Sequence, residues 1–329
     1  MNETRLRVLE ALADGPVSGP TLADSHDISR NAVWKHVEAL REAGFGVESE
    51  TEGYSLTTVP ESGALALSFG LDAPFEVAHH ETLDSTNRRA RELAEAGASD
   101  VVVVADRQTG GRGRLDREWE SPPGGVYLSL VCRPDLPLAD APLYTLAAAV
   151  ATTQAAREAG VDAHIKWPND VVVPRGMTAS RTESDDVVVP RDGPDYDKLA
   201  GILTEMRGEA DRVGWVVVGI GVNADAGSDD LPAGATSLRV ETGERVDRRV
   251  FTQRLLESFD GLRGDPDAIL DAWREHALTL GQRVRVETPG GEVVGEARDV
   301  ERPGTLVVRT ADGDVRVTAG DCEHLRPVE

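Results

Sequence analysis

Apolar residues recur at helical spacing from the start of the chain. Leu6, Leu9, Leu12 and Ala13 fit a helix over 4–13, and Gly15-Pro16 stops it. A short second helix fits 20–25. Ser29 caps a third, which carries Val33, Val37 and Leu40 on one side and ends at Gly44. Its other side carries Arg30, Asn31, Trp34, Lys35 and Glu38. Two stretches, GVES and YSL, flank a turn at Gly53 and read as a hairpin. Three short helices and a hairpin within residues 1–59 predict a winged helix-turn-helix whose recognition helix is 29–43. The competing reading is a small protein-contact module, since the same shape serves both uses.

Residues 60–74 begin as a linker, and α and β patterns then alternate to about residue 275. Valine runs at 101–104, 171–173 and 216–218 predict buried strands, while 87–96, 143–159, 250–262 and 266–277 predict helices. A central α/β domain with a mixed sheet is therefore expected over 75–278. Gly, Ser, Asp and Pro interrupt it at 174–197, which reads as a mobile acidic insertion. From 280 to 329 four alternating stretches, RVRVE, EVVGEARDV, TLVVRT and DVRVT, are separated by Gly-containing turns. They predict a small SH3-like β-barrel, which makes the whole an α+β multidomain protein.

Charge changes the picture of the surface. The 329 residues carry 58 acidic and 35 basic side chains, a formal charge of −23. Such a surface repels nucleic acid at ordinary salt. Either the partner is not nucleic acid, or the cytoplasm is salty enough to screen surface charge within a few ångströms. Lysine usage favours the second: Lys35, Lys166 and Lys198 are the three lysines, and arginine supplies the other basic residues. A halophilic host is the expectation. The recognition segment keeps a local excess of one positive charge, with Arg30, Lys35 and Arg41 against Glu38 and Glu42. Cys132 and Cys322 suit neither a disulfide framework nor a metal cluster. With no signal pattern and no long apolar run, a cytoplasmic protein without membrane association is expected.

The candidate chemistry centres on 107–125, RQTGGRGRLDREWESPPGG. Gly110, Gly111 and Gly113 let backbone N–H groups approach a ligand, beside Arg112, Arg114 and Arg117, a combination that suits an anion. No GK[ST] follows, and GxGxxG spacing is absent, so it is neither a Walker loop nor a dinucleotide fingerprint. Alone, it is equally a flexible basic turn. Upstream, Ser85, Thr86 and Asn87 open a helix and can present several hydrogen bonds to a neutral polar ring, where N-capping explains only one of them. Lys166 in KWPND and Lys198 in KLAGIL sit at the edges of strand-like segments. A solvated or salt-bridging lysine is the plain alternative for each, but where arginine is the rule Lys198 suggests a compact ammonium that reaches a reacting phosphate or carboxylate.

In order, STN, Q-x-x-GRGR running to W-x-SPxGG, KWPND, KLAGIL and GIGVN resemble the biotin protein ligases, and the resemblance extends over nearly the whole chain. The terminal domains resemble the bifunctional ligase–repressor form. The resemblance implies ATP, Mg²⁺ and biotin as reactants, a biotin carboxyl carrier protein as acceptor, operator DNA as partner and a homodimer when the adenylate is bound. It assigns Ser85, Thr86, Asn87, Gln108, Arg112, Gly113, Arg114 and Lys198 to biotin, with Lys198 and Arg114 also catalytic. Gly111, Trp119, Lys166, Asn169, Asp170 and Asn223 fall to ATP or the adenylate, although Trp119 is equally placed to be core. No metal ligand set is read from the sequence. Arg30, Asn31, Trp34 and Lys35 fall to DNA. The chain departs from the family where GRGR is followed by Leu115, Asp116, Arg117 and Glu118, two of them acids in a loop meant to hold an anion. A lipoate ligase of the same broad fold and a ligand-sensing repressor without turnover are the alternatives.

Overall fold

The computed structural model describes residues 3–114, 117–175, 195–209 and 211–325. Helices α1 (Glu3–Ala13), α2 (Gly19–Ser25) and α3 (Arg30–Glu42) enclose a small core with the hairpin β1 (Gly46–Glu50) and β2 (Gly53–Thr58). Ser29 caps α3 by accepting from the Ala32 amide at 3.1 Å, and Val33, Val37 and Leu40 are buried. Gly53 is needed in the turn because it takes φ +142° and a Cβ there would lie 2.2 Å from the Val17 carbonyl oxygen.

The expected linker holds a short helix, α4 (Ala64–Ser68). Ala66 joins the N-terminal core and Leu67 the central one, so consecutive residues fasten both. The patterning is too short to show this from sequence.

The central sheet has seven strands: β3 (Glu76–Leu83), β4 (Val101–Gln108), β5 (Val126–Cys132), β6 (His164–Lys166), β7 (Asp170–Pro174), β8 (Tyr196–Glu209) and β9 (Arg212–Val222). Their order is β3-β4-β5-β9-β8-β7-β6, with β3 and β4 parallel and the other neighbours antiparallel. Alternation sorts the faces. Val102, Val104, Leu128, Leu130, Val216, Val218 and Ile220 share a core with α6 (Leu143–Glu158), α7 (Leu238–Thr242), α8 (Arg248–Leu262) and α9 (Pro266–His276). Val101, Val103, Val131 and Val217 pack on α5 (Thr86–Glu95). Pro174, Tyr196 and Asp197, expected in the insertion, belong instead to β7 and β8: Pro174 pairs with Tyr196 and Val173 with Asp197, whose carboxylate binds Arg175. Residues 176–194 of that insertion lie outside the described residues.

At the C-terminal end, β10 (Arg283–Thr288), β11 (Gly291–Glu301), β12 (Thr305–Thr310), β13 (Gly313–Val317) and β14 (Asp321–His324) form an SH3-like antiparallel unit ordered β13-β12-β11-β10-β14. The fifth strand escaped the sequence reading, being short and mostly polar. Its core is continuous with the central one, and the Trp167 indole donates to the Gly304 carbonyl at 2.9 Å. His324 on β14 lies edge-on to Tyr196 and within 3.1 Å of the Thr279 hydroxyl. Burial, then the Lys166 charge, lowers its pKa to about 4. The unfolded chain therefore binds a proton on His324 before the folded one does. His324 should add full stability above pH 6.5 and lose it between pH 6.5 and 4, with a ceiling of about 3 kcal/mol. Urea unfolding of wild type and His324→Asn at pH 7.5 and 4.5 tests this: the variant should lose less on acidification, and equal losses would refute the assignment.

Candidate active site

The parallel pair β3–β4 brings two loops together at its C-terminal end, where the Thr109 amide donates to Leu83 O and that of Gly110 to Asp84 O. Ser85 caps α5, accepting from the Arg88 amide, so ordinary capping accounts for it. Thr86 and Asn87 point inward and are buried. Gln108 Oε1 accepts from the Thr86 amide at 2.8 Å and from its hydroxyl at 3.1 Å, while Gln108 Nε2 donates to Ser121 Oγ. Ser129, fully buried on β5, donates within 2.8 Å of Thr86 Oγ1 and 2.6 Å of Asn87 Oδ1. The Asn87 amide donates to Leu203 O and Glu205. Such a closed network holds its members in one geometry.

Glycines form the floor. Gly201 on β8 and Gly221 on β9 are cross-strand partners, and a Cβ on Gly221 would come 2.6 Å from the Trp119 indole nitrogen. Gly219, two residues earlier, leaves room for Asn87, whose Oδ1 would lie 1.9 Å from an added Cβ. The Trp119 ring thus lies over glycine backbone, with its buried indole N–H unpartnered among the described residues. That placement puts it on the pocket wall rather than in a core.

Two backbone hydrogen bonds join residues 111–113 to 117–119: the Gly113 amide donates to Arg117 O and that of Trp119 to Gly111 O. Arg114 donates to Asn169 Oδ1 and to the Gly320 carbonyl, both at 3.0 Å, and Arg117 binds Asp321 at 2.7 Å. The arginine loop is therefore pinned by the C-terminal unit. Burial would raise the Asp321 pKa, but the Arg117 hydrogen bond and charge, with Lys166 and Arg114 behind, outweigh it and hold the carboxyl below its ordinary value.

On β8, one extra residue between the pairs Val171–Ala200 and Val172–Lys198 makes a bulge. Bulges re-aim side chains. Lys198 Nζ lies 2.7 Å from Asp170 Oδ1 and 5.2 Å from the Trp119 ring centre.

One pocket is thus lined by Ser85, Thr86, Asn87, Gln108, Arg112 and Gly113, and equally by Arg114, Trp119, Asn169, Asp170 and Lys198. Three expected residues are not on its wall. Gly111 shapes the loop, since a Cβ would meet Trp119 O at 2.5 Å. Asn223 donates to Lys198 O and Thr236 O, bracing the backbone behind Lys198. Lys166 is buried behind Asp170, against Tyr196. Sequence reasoning missed Ser129, the floor glycines and Asp321. GIGVN did hold a signal, because glycines two apart on a strand share one face.

Over 93% of its length the chain is 38% identical to the bifunctional ligase/repressor BirA of Bacillus subtilis, covering 93% of that protein. The chain belongs to the biotin protein ligase family. Residues 80–223 match the biotin/lipoate A/B protein ligase family, 279–325 the biotin protein ligase C-terminal domain and 4–55 an HTH domain. This family member is also 32% identical to the biotin–[acetyl-CoA-carboxylase] ligase of Mycobacterium tuberculosis over 72% of its own chain and 84% of the other. Its fold resembles the Aquifex aeolicus biotin protein ligase in complex with biotin and ATP: TM-score 0.57, 25% identity, 76% of this chain and 99% of that one.

Proposed function

We propose that the chain activates biotin with ATP, forms biotinyl-5′-AMP and transfers biotin to a lysine of a biotin carboxyl carrier protein. The carrying observation is the convergence of a closed polar network, an arginine loop and Lys198 on one pocket. Thr86, Asn87 and Gln108 suit the ureido ring, whose N–H and C=O groups need fixed partners. The carboxylate attacks the α-phosphorus, the bond to the β-phosphate oxygen breaks and pyrophosphate leaves. Negative charge grows on the α-phosphate oxygens, where Lys198, Arg112 and Arg114 stabilise it. The carrier amine then attacks the acyl carbon, loses a proton and expels AMP. Trp119 suits the adenine face, and Arg112, Gly113, Arg114 and Arg117 on the pocket wall help exclude water.

Among the described residues no group of three or more His, Cys, Asp or Glu side chains stands ready for a metal ion. Asn169 and Asp170 are the wall oxygens that fit an Mg²⁺ carried chiefly by phosphate and water. Bound there, Mg²⁺ would supply positive charge to the triphosphate. The test is incubation with ATP, Mg²⁺, biotin and a carrier domain, read by mass spectrometry, beside pyrophosphate exchange with biotin or lipoate. Exchange driven by lipoate alone would overturn the reading.

Arg30, Asn31, Trp34 and Lys35 are exposed together on α3, Trp34 at 52%. They support a biotin-responsive repressor that reads operator DNA through α3; the homodimer, the palindrome and a cytoplasm rich in salt belong to the same proposal and rest on the family resemblance and on the charge of −23. Among the described residues no helix is long and apolar enough to cross a membrane. Trp34→Ala with Lys35→Ala should weaken specific operator binding at least tenfold, at about 1–3 kcal/mol per base contact, and spare pyrophosphate exchange. A fluorescence titration at high salt, with biotin and ATP, checks it; unchanged affinity would assign α3 to protein contact.

A further inference from the structure

Lys166 is the buried lysine that the pocket wall does not use. It closes β6 and is the cross-strand partner of Asp170 in the β6–β7 hairpin. Its side chain is 9% exposed, lies 3.9 Å from Asp170 Oδ2, and faces Tyr196 with its Nζ 5.8 Å from the ring centre. Asp170 Oδ1 holds Lys198 at 2.7 Å from the other side. One carboxylate thus stands between two ammonium groups, one sealed in and one facing the pocket.

Lys198 cannot serve an arriving phosphate while it stays on Asp170. If it swings away before Mg²⁺ is seated beside Asp170, that mostly buried carboxylate is left facing a polyanion, a like-charge contact in low dielectric. A second cation fixed behind Asp170 removes both obstacles. It weakens the grip on Lys198 by sharing the charge, and it keeps Asp170 compensated once Lys198 has moved. We propose that Lys166 is a positioning residue that acts through Asp170 to release Lys198 to the phosphate, a role that rests on the ligase reading above. An apolar residue at 166 would leave Asp170 and Lys198 locked as a pair. Arginine there would keep the charge but bring a planar fork into a space packed for a single ammonium.

The sparse lysine inventory makes the test clean, because Lys35, Lys166 and Lys198 are the chain's three lysines. Lys35, exposed on α3, is an internal reference. Wild type, Lys166→Met, Asp170→Asn and the double variant are labelled briefly with an amine-reactive ester, and the Lys198:Lys35 ratio is read by peptide mass spectrometry. Biotin-dependent pyrophosphate exchange is measured on the same samples, with melting temperatures as a fold control. Lys166→Met should lower Lys198 labelling at least threefold and exchange at least tenfold; in the Asp170→Asn background the same substitution should change neither by more than twofold. Equal losses in both backgrounds, or an unchanged labelling ratio in Lys166→Met, would overturn the role. Wild-type protein without exchange would overturn the ligase reading instead, while the labelling still reports on the Lys166–Asp170–Lys198 arrangement.

Discussion

Lys198→Ala should reduce biotin-dependent pyrophosphate exchange by on the order of 10²–10³, the usual cost of removing one donor aimed at developing negative charge. The ammonium sits beside Asp170 and the Trp119 ring, with backbone braced by Asn223, so its loss removes charge from the pocket without opening a core. The side chain is 36% exposed, and Lys166 remains to compensate Asp170; the melting temperature should therefore move little. Lys198→Arg should restore only part of the rate, since a Cβ on Gly201 would already touch the lysine end at 3.3 Å and a guanidinium is broader. Exchange within twofold of wild type for Lys198→Ala would sink the assignment.

Gly219→Ala should cost nearly as much by a different route. Its new methyl would lie 1.9 Å from Asn87 Oδ1 and 2.7 Å from Asn87 Cγ, distances that force Asn87 out of place. The Ser129 hydroxyl would lose one of its two acceptors, and the amide donating to Leu203 O and Glu205 would move with it. Overpacking of this kind costs about 1–3 kcal/mol in stability. The larger effect should fall on the biotin KM, raised at least tenfold, with the ATP KM changed far less. Gly221→Ala gives the contrast, because its methyl meets the Trp119 indole and should shift the ATP KM first. Steady-state kinetics with each substrate varied decides between them, and an unchanged biotin KM in Gly219→Ala would remove Asn87 from the biotin subsite.

Much of this was legible in the sequence because it rests on local rules. The buried face of α3, the alternating valines of β4 and the Gly53 turn follow from period and backbone sterics, which a chain displays residue by residue. The pocket residues were legible only as a series of motifs, and their meeting depends on the crossover from β3 through α5 to β4. Asp321 was invisible. It lies some two hundred positions beyond Arg117 in sequence, and no spacing rule joins an acid on the last strand to an arginine in a loop. Lys166 was misplaced for a related reason: rarity marked it as special, but only the hairpin shows that its side chain turns behind Asp170.

The exposure of the lysines also bears on what a stray acyl adenylate does near its maker. Such a mixed anhydride acylates whatever unprotonated amine it meets. Lys166 is buried and Lys198 is paired with Asp170 in the pocket, whereas Lys35 is exposed with no ion-pair partner among the described residues. Lysine self-labelling would therefore reach α3, erasing a positive charge and adding a bulky tail on the helix face proposed to read DNA. A leak from the pocket would be recorded, as an amide, on the N-terminal domain.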